Sequence, residues 1–370
     1  MNIELLHIQG YKSIADLKME NVDPFAIIAG SNGSGKSNLV DALAFFGTAI
    51  EFGTKSAIQK FGGFAHIHCF KHRAERRRTM QFEIKITLDS KLYHYHLKLY
   101  QLDSEPVFFE TLHIDDELVI SRKRGESPTL KSGEQLNSVS FPTNMSALLL
   151  LPDSGIYQFL TNIKVFRFDP LGAKEPDSAN TDTSELDMHG RNVASMLAEL
   201  EKNDDFREQI TEWIELLVPH MERVSTEKQR LDGTTVITFK EEGTKTRFPA
   251  NLISDGTIYA LCILTALLSR TNKFGITIIE EPERGIHPKA IAELIGAIRD
   301  TATIQHAFFV TTHSESVVRS AEKSELWLSN KEQGKTEVKN AALQTNGVDL
   351  GDMPLDKAWL MNMFSGGSPW

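Results

Sequence analysis

Hydrophobic and polar residues alternate with a period of two over residues 80–99, a pattern typical of half-buried β-strands. The apolar positions form two runs, Met80, Phe82, Ile84, Ile86 and Leu88, then Tyr93, Tyr95, Leu97 and Leu99. Asp89 and Ser90 separate the runs as turn residues, so a hairpin is the simplest connection. Residues 108–120 are expected to extend the same meander. The pattern therefore predicts an antiparallel sheet near the N-terminus.

A second pattern, with apolar residues three and four positions apart, follows residue 190 and predicts helices. Its positions are Val193, Met196, Leu197 and Leu200, then Phe206, Ile210, Trp213, Ile214 and Leu217 ahead of Pro219. We expect these segments to form a small helical lobe. Residues 121–144 and 171–185 are rich in charge, Gly, Ser and Pro, so both are predicted to be exposed loops.

The C-terminal half carries the pattern of a parallel sheet. Apolar runs at residues 276–279 and 307–310 predict buried strands, and a helical pattern at residues 291–298 lies between them. These elements predict an α/β fold with an antiparallel β lobe and an inserted helical lobe. The expected division is an N-terminal lobe (1–170), a helical insertion (171–250), a C-terminal lobe (251–345) and a tail (346–370).

Composition and charge narrow the class of protein. Apolar residues make up 41% of the 370 residues and charged residues 24%, an ordinary globular balance that excludes a disordered chain. The formal charge of −10 argues against nucleic-acid binding over the whole surface, so any DNA contact must be local. Cys69 and Cys262 fit no metal spacing, and no apolar stretch approaches the ~20 residues of a membrane helix. A cytoplasmic protein with no membrane association is expected.

Residues 30–37 read Gly-Ser-Asn-Gly-Ser-Gly-Lys-Ser and match the P-loop (Walker A) pattern G-x-x-x-x-G-K-[ST]. An apolar run at residues 25–29 precedes them and a helical pattern follows, which is the context that this motif requires. Its glycines let backbone N–H groups point at a phosphate, and the helix start adds positive potential. We expect ATP with Mg²⁺: Lys36 would reach the β- and γ-phosphates and Ser37 would bind the metal. The predicted nucleotide contacts are Asn32, Gly33, Ser34, Gly35, Lys36, Ser37 and Asn38.

An acidic cluster, Glu280, Glu281 and Glu283, follows the predicted strand at residues 276–279 in a Walker B pattern. A carboxylate at the C-terminal end of a parallel strand lies beside the phosphate loop and can hold Mg²⁺, and the next carboxylate can orient or deprotonate the attacking water. We assign Glu280 to the metal and Glu281 to the water. Two glutamates at this place also fit an ordinary solvated helix start, and the P-loop favours the catalytic interpretation.

The strand at residues 307–312 ends at His313, which would reach the same sheet edge. A neutral imidazole there can donate to the γ-phosphate, the position of a switch histidine. A histidine after a strand is usually structural, and its register beside the acidic strand is what favours function. The predicted catalytic residues are therefore Glu281, His313 and Lys36.

Ser254, Asp255 and Gly256 stand immediately before an apolar helix at residues 258–268. Such a turn at a helix N-terminus is a second phosphate receptor. Because one phosphate loop cannot fold back onto itself, a second receptor indicates two copies paired head to tail, each capping the nucleotide of the other. Taken by itself, the segment is only a helix N-cap.

These motifs, in this order, resemble the RecF/SMC-like branch of ABC-type ATPases, in particular stand-alone members without a long coiled coil, as in OLD-like and bacterial defence ATPases. Residues 8–14 are similar to the first strand of that family, which implies a nucleotide contact for Lys12. Residues 189–194 and 280–288 are likewise similar to family segments. The resemblance implies a P-loop NTPase of the ABC-type ATPase head class, which dimerises around ATP and hydrolyses it.

Four features depart from the family pattern. Glu280 stands where many relatives have Asp. The signature motif of the family corresponds to residues 254–257, which read Ser-Asp-Gly-Thr in place of Ser-Gly-Gly-Gln. For the Q-loop glutamine the sequence offers only Gln81, a weak candidate. The family has Arg more often than Lys at the position of Lys12.

The resemblance also implies partners. It indicates a homodimer or higher homo-oligomer, an effector protein encoded nearby, and DNA as a further candidate, in genome maintenance or antiphage defence. Two alternatives stay open: a slow nucleotide-gated scaffold that recruits an effector nuclease or toxin, and a DNA-binding repair or segregation factor. A basic cluster either contacts nucleic-acid phosphates or forms a solvated or partner-binding surface. Its members are Lys71, Arg73, Arg76, Arg77 and Arg78.

Two histidine pairs and the C-terminal tryptophan are further candidate sites. His66 and His68, and likewise His94 and His96, would share a strand face if those segments are extended, but neither pair has a third metal ligand nearby. Trp370 would anchor the tail in a groove of the same chain or of a partner.

Overall fold

A computed structural model describes residues 3–74, 78–101, 106–132, 135–271, 273–344 and 353–364. These residues form three sheets with flanking helices, the α/β arrangement expected from the sequence. The strands are β1 (Ile3–Tyr11), β2 (Ile14–Val22), β3 (Phe25–Ala29), β4 (Thr79–Leu88), β5 (Lys91–Gln101), β6 (Pro106–Ile114), β7 (Glu117–Arg122), β8 (Thr129–Ser132), β9 (Gln135–Ser138), β10 (Ile163–Phe166), β11 (Met221–Lys228), β12 (Thr235–Glu241), β13 (Phe248–Pro249), β14 (Gly275–Glu280), β15 (His306–Thr312), β16 (Leu326–Glu332) and β17 (Lys335–Asn340). The helices are α1 (Lys36–Lys60), α2 (Phe64–Ile67), α3 (Phe70–Ala74), α4 (Gly155–Thr161), α5 (Pro170–Ala173), α6 (Val193–Leu200), α7 (Asp204–Leu217), α8 (Asp255–Ser269), α9 (Pro288–Thr301), α10 (Glu315–Arg319) and α11 (Leu355–Leu360).

The first sheet has eight antiparallel strands in the order β2-β1-β4-β5-β6-β7-β8-β9. The predicted hairpin is confirmed: Asp89 and Ser90 join β4 to β5, and both have the positive φ values of a tight hairpin turn. The expectation that residues 121–144 are only loop is wrong, because β8 and β9 extend the sheet there. Leu130 pairs with Ile120, so a single apolar pair aligns a segment whose composition is otherwise that of a loop.

The second sheet is the platform of the fold, with strand order β10-β14-β15-β3-β16-β17. Its first five strands are mutually parallel and β17 runs antiparallel at the edge. The predicted βαβ unit is confirmed as β14, α9 and β15. The C-terminal ends of β3, β14 and β15 therefore lie along one edge of the sheet, where parallel α/β folds bind their ligands.

Helix α1 lies between the antiparallel and the parallel sheet. Alternate residues of β3 face opposite sides: Ala26 and Ile28 join the core around α1, and Phe25, Ile27 and Ala29 join the core on the other side. The second core is covered by α6, α7, α8 and α9. Packing on both faces explains why β3, β14 and β15 are continuous apolar runs instead of alternating ones.

The segment at residues 171–250 is more than the expected helical lobe. Helices α6 and α7 lie where the periodicity predicts them, but β11, β12 and β13 form a three-stranded sheet after them. The signals for β12 are the Asp232-Gly233 turn and the β-branched run from Thr234 to Thr238. The apolar side of this small sheet, including Val224 and Phe239, belongs to the core that also contains α8.

Some expectations concern residues outside those described. Arg76 and Arg77 of the basic cluster and Trp370 of the tail are among them. Within the described part of the tail, α11 carries Trp359, which is buried against the core of the C-terminal half. No described helix is long and apolar enough to cross a bilayer.

Candidate nucleotide-binding site

The phosphate loop connects β3 to α1 at the C-terminal edge of the parallel sheet. Its first residue, Gly30, donates its N–H to the carbonyl of Thr312 at the end of β15, 3.3 Å away. Lys36 Nζ donates to the carbonyls of Gly30 at 2.6 Å and Ser31 at 3.0 Å, so its ammonium group lies across the mouth of the loop. Asn32, Gly33 and Ser37 are exposed along the loop and the first turn of α1. These three residues of the predicted phosphate loop are thus accessible to a ligand.

The hairpin of β16 and β17 packs directly beneath this loop. Gly35 has a φ of +108°, and a Cβ added there would lie 1.9 Å from Thr336 Oγ1. The hydroxyl of Thr336 also bonds to Ser13 Oγ at 2.6 Å, and Asn38 Nδ2 donates to the same Ser13 hydroxyl. Ser329 Oγ donates to the carbonyl of Ser34 at 3.3 Å. Residues some 300 positions away in sequence therefore fix the shape of the loop.

Two observations indicate that the loop fits a phosphate group. Ser34 Oγ is buried and has no hydrogen-bond partner among the described residues, although buried hydroxyls are normally paired. A cavity of about 470 Å³ also continues from Lys12, Ser13 and Asn38 towards the segment around Phe70, whose side chain is 74% exposed. The loop and the cavity together have the size class of a ligand site.

Lys36 and the predicted acidic residues lie close enough to interact electrostatically. Burial lowers the pKa of Lys36, and the negative charges of Glu281, Glu283 and Glu280 oppose that shift. The four side chains come from two different strand ends, because Glu280 closes β14 whereas Lys36 follows β3, with β15 between the two. The structure therefore brings together the positive and the negative groups that the sequence motifs predict.

Glu281 and His313 face each other, with Glu281 Oε1 3.1 Å from His313 Nδ1. Both side chains are nearly half exposed, so water has access to them. Glu283, to which the sequence assigned no role, is buried beside them and accepts a hydrogen bond from Thr312 Oγ1 at 2.6 Å. Burial raises the pKa of Glu283. The structure thus brings two of the predicted catalytic side chains, Glu281 and His313, into contact at the sheet edge.

Arg167, which sequence reasoning missed, joins two carboxylates of the site. Its Nε donates to Glu280 Oε2 at 2.9 Å, and its Nη2 donates to Glu280 Oε1 at 3.0 Å and Asp41 Oδ1 at 2.8 Å. Asp41 in turn pairs with Lys12. Burial lowers the pKa of Arg167, but the hydrogen bonds of Glu280 and Asp41 outweigh it and raise the pKa overall. A row of alternating charges therefore links Lys12 to the predicted metal ligand Glu280.

The signature segment lies at the start of α8. Ser254 Oγ accepts the N–H of Thr257 at 3.3 Å, so Ser254 caps the helix as the simpler interpretation requires. Asp255 forms an ion pair with Lys174. A Cβ added to Gly256 would lie 2.0 Å from the carbonyl oxygen of Gly285, so α8 begins against the loop after the acidic cluster. Ser254 and Asp255 are exposed, and their contact with a second copy stays a prediction.

The weaker candidates lie elsewhere. Gln81 is on the face of β4 opposite the core, where its amide bonds to Gln9, so it is not placed beside the phosphate loop. His66 lies in α2 and not on a strand, which removes the premise for pairing it with His68. His94 and His96 do share the outer face of β5, where they bond to Glu83 and Gln81. No group of three or more potential metal ligands occurs among the residues described.

Comparison with known families gives a match over most of the chain. The profile of a family described as "AAA domain, putative AbiEii toxin, Type IV TA system" matches residues 25–319. An uncharacterized protein of Methanocaldococcus jannaschii is 45% identical over 49 residues, which are 13% of this chain and 22% of that protein. The chain thus matches less than a quarter of the length of that relative.

Solved structures agree with the family match. An SMC head bound to the C-winged helix domain of ScpA superposes with a TM-score of 0.58 at 15% identity, covering 92% of this chain and 98% of that chain. The SMC head domain from Thermotoga maritima gives 0.50 at 14% identity, with 92% and 99% covered. An Smc head from Pyrococcus furiosus with an extended coiled coil, bound to the C-terminal domain of ScpA, gives 0.51 at 14%, with 91% and 96% covered. At such low identity these likenesses show the fold alone, and they confirm the expected SMC-like ABC-type head.

Proposed function

The chain belongs to this AAA-domain family of P-loop ATPases, and we propose that it binds Mg·ATP at residues 30–38 and hydrolyses it between two copies of itself. The observation that carries the proposal is the convergence of Lys36, Glu280 and Glu281 at one edge of the parallel sheet. Ser37 and Glu280 would hold Mg²⁺, and Lys36 would bind the β- and γ-phosphates. Bound Mg²⁺ would neutralise charge on the phosphates during the reaction.

The catalytic water would lie between Glu281 and the γ-phosphate. Glu281 would orient or deprotonate it, and His313, 3.1 Å from Glu281, would donate to the γ-phosphate. The nucleoside of the bound ATP would extend from the phosphate loop past Asn38 and Lys12 and occupy the cavity of about 470 Å³. The exposed ring of Phe70 in that cavity is suited to stack on the base.

The proposal predicts different defects for two variants. Lys36→Ala should abolish Mg·ATP binding in calorimetry, because the loop loses its cation at the phosphates.

Glu281→Gln should keep binding but lose turnover at least about 100-fold, since general-base groups contribute roughly 10²–10⁴ in rate. The Glu281→Gln protein should also accumulate as an ATP-bound dimer, which light scattering would detect. Unchanged turnover in Glu281→Gln would contradict the assignment of the catalytic water to Glu281. If the unmodified protein shows no heat of Mg·ATP binding in calorimetry, the whole proposal is wrong.

Pairing of two copies is supported by the surface around the start of α8. Leu252 is 68% exposed beside the exposed Ser254 and Asp255, while Thr257 to Leu268 of α8 are buried. A helix N-terminus that presents N–H groups to solvent favours an anionic partner group. We propose that this group is the γ-phosphate held by a second copy.

A partner protein is the second part of the proposal. Two of the similar SMC heads carry a domain of ScpA, and the family description names a toxin of a toxin–antitoxin system. We propose that ATP turnover controls an effector encoded nearby, in antiphage defence or genome maintenance. The scaffold alternative predicts weak basal hydrolysis that a partner stimulates, which single-turnover kinetics with and without the neighbouring gene products would detect.

DNA contact is a separate question with its own test. In the described part of the basic cluster, Arg73 donates to the carbonyl of His68 at 3.0 Å, so one cation already serves the local fold. Reversing the charges from Arg76 to Arg78 and measuring salt-dependent DNA affinity, with and without ATP, tests the rest. Equal affinity before and after reversal would discard this surface as a DNA site.

A further inference from the structure

Glu281 has an unusual backbone conformation for its residue type. Its φ is +51°, in the left-handed region that residues with a Cβ rarely adopt. Such strain persists only where surrounding contacts enforce it, and it is concentrated at functional sites. Because the side chain is attached to this Cα, the backbone conformation at Glu281 determines whether the carboxylate points towards His313.

The contacts that enforce this conformation come from two sides. On one side Glu281 donates its N–H to the carbonyl of Thr311 at 2.8 Å, which continues the β14–β15 pairing by one residue. On the other side the hydroxyl of Tyr259 lies 2.9 Å from the carbonyl oxygen of Glu280 and 3.0 Å from that of Glu281. One side-chain hydroxyl thus reaches both carbonyls that flank the left-handed turn.

Tyr259 is well fixed for this task. It lies in α8, it is 1% exposed, and its ring packs edge-on against Phe168 with 5.9 Å between centroids. A buried phenol hydroxyl normally forms a hydrogen bond, and the carbonyls of Glu280 and Glu281 are the partners that this hydroxyl contacts. The N-terminal turn of the same helix touches the acidic loop at Gly256 and Gly285, so helix and loop meet at two points.

We propose that Tyr259 is a positioning residue that holds the Glu280–Glu281 peptide in its left-handed turn and so aims the Glu281 carboxylate at the catalytic water. This inference rests on the proposed ATP hydrolysis. Tyr259 itself is buried and its hydroxyl contacts the backbone carbonyls of the acidic cluster, so its side chain is not accessible to a bound nucleotide. Its loss therefore affects the rate of the chemical step and not the binding of Mg·ATP.

Tyr259→Phe tests the proposal, because it removes one oxygen and keeps the ring. We expect kcat to fall about tenfold, which corresponds to about 1.4 kcal/mol, with KM and the calorimetric affinity for Mg·ATP unchanged. Combined with Glu281→Gln, Tyr259→Phe should cause no further loss, since both changes act through one carboxylate. A kcat equal to that of the unmodified protein, or a multiplicative loss in the double variant, would overturn the proposal.

Tyr95→Phe is the matched control. Tyr95 is also buried, and its hydroxyl donates to Glu110 at 2.9 Å in the antiparallel sheet, away from the acidic cluster. It should lower thermal stability without changing kcat, which separates positioning from a general loss of stability.

A structural readout keeps the test independent of turnover. Crystal structures of the unmodified protein and of Tyr259→Phe should differ at Glu281, with φ returning to negative values in the variant. A positive φ retained in the variant would refute the role of Tyr259 even if the protein proved unable to hydrolyse ATP. Absent hydrolysis in the unmodified protein would refute the proposed function alone.

Discussion

Arg167 is the residue on which the charges of the site converge. Its guanidinium bonds to both oxygens of Glu280 and to Asp41, so it neutralises two carboxylates that would otherwise repel each other. The hydrogen bond between Arg167 and Asp41 joins positions 126 residues apart in sequence. No local pattern identifies such a residue, because neither the strand period nor any motif includes it.

Arg167→Gln should therefore lower the free energy of unfolding by about 1 to 2 kcal/mol, since charged hydrogen bonds are lost at a partly exposed place. Millimolar Mg²⁺ should restore part of that loss, because a divalent ion can neutralise the same two carboxylates. Urea unfolding with MgCl₂, and with NaCl at matched ionic strength, measures this. Equal recovery in both salts would show that only general screening is involved.

Among the elements, β14 and β15 are joined by a buried polar chain at their N-terminal ends. His306 Nδ1 donates to the carbonyl of Lys273 at 2.7 Å, and His306 Nε2 accepts from Thr277 Oγ1 at 2.7 Å. The bond that Nε2 accepts requires the neutral ring, because a protonated imidazole has no acceptor nitrogen. Burial, reinforced by the charge of Arg270, lowers the pKa of His306 to about 4.

Stability should therefore depend on pH through this histidine. Its pKa is about 6.5 in the unfolded chain and lower in the fold, so its contribution is complete above pH 6.5 and is lost as the pH falls towards 4. The loss should be of the order of 3 kcal/mol. His306→Asn, which cannot titrate, should flatten the difference in urea unfolding between pH 6.5 and 4. Identical pH profiles for the two proteins would contradict the assignment.

Elements with a strong pattern could be predicted from the sequence and short ones could not. The alternating β4 and β5, the amphipathic α7 and the apolar β14 and β15 lie where their periods indicate. The edge strand β10 has only four residues, and the β16–β17 hairpin turns at Gln333-Gly334, a weaker turn signal than Asn-Gly. The P-loop and the acidic cluster were identifiable because their residues are contiguous, whereas Asp41, Arg167 and Tyr259 join the site only through tertiary packing.

For the whole molecule, the decisive question is whether one copy completes the site of another. In the proposed dimer, Lys36 and Ser254 of different copies serve one nucleotide. Lys36→Ala and Ser254→Arg proteins should therefore both be inactive alone. Mixed at equal amounts, half of the dimers would be mixed and each would have one intact site of two, so about a quarter of the normal activity should return. A mixture that stays inactive despite subunit exchange would exclude sharing of sites.

The tight fit between Gly35 and Thr336 gives the P-loop glycine two separate constraints. A side chain at position 35 would collide with the protein's own β17 hairpin whether or not any phosphate were present. Descendants of this fold that lost catalysis would thus be free to replace Lys36 while still keeping the glycine before it. Under the proposed mechanism, Lys36, Glu280 and Glu281 would consequently be better markers of ATP hydrolysis in a relative than the glycine-rich outline of the loop.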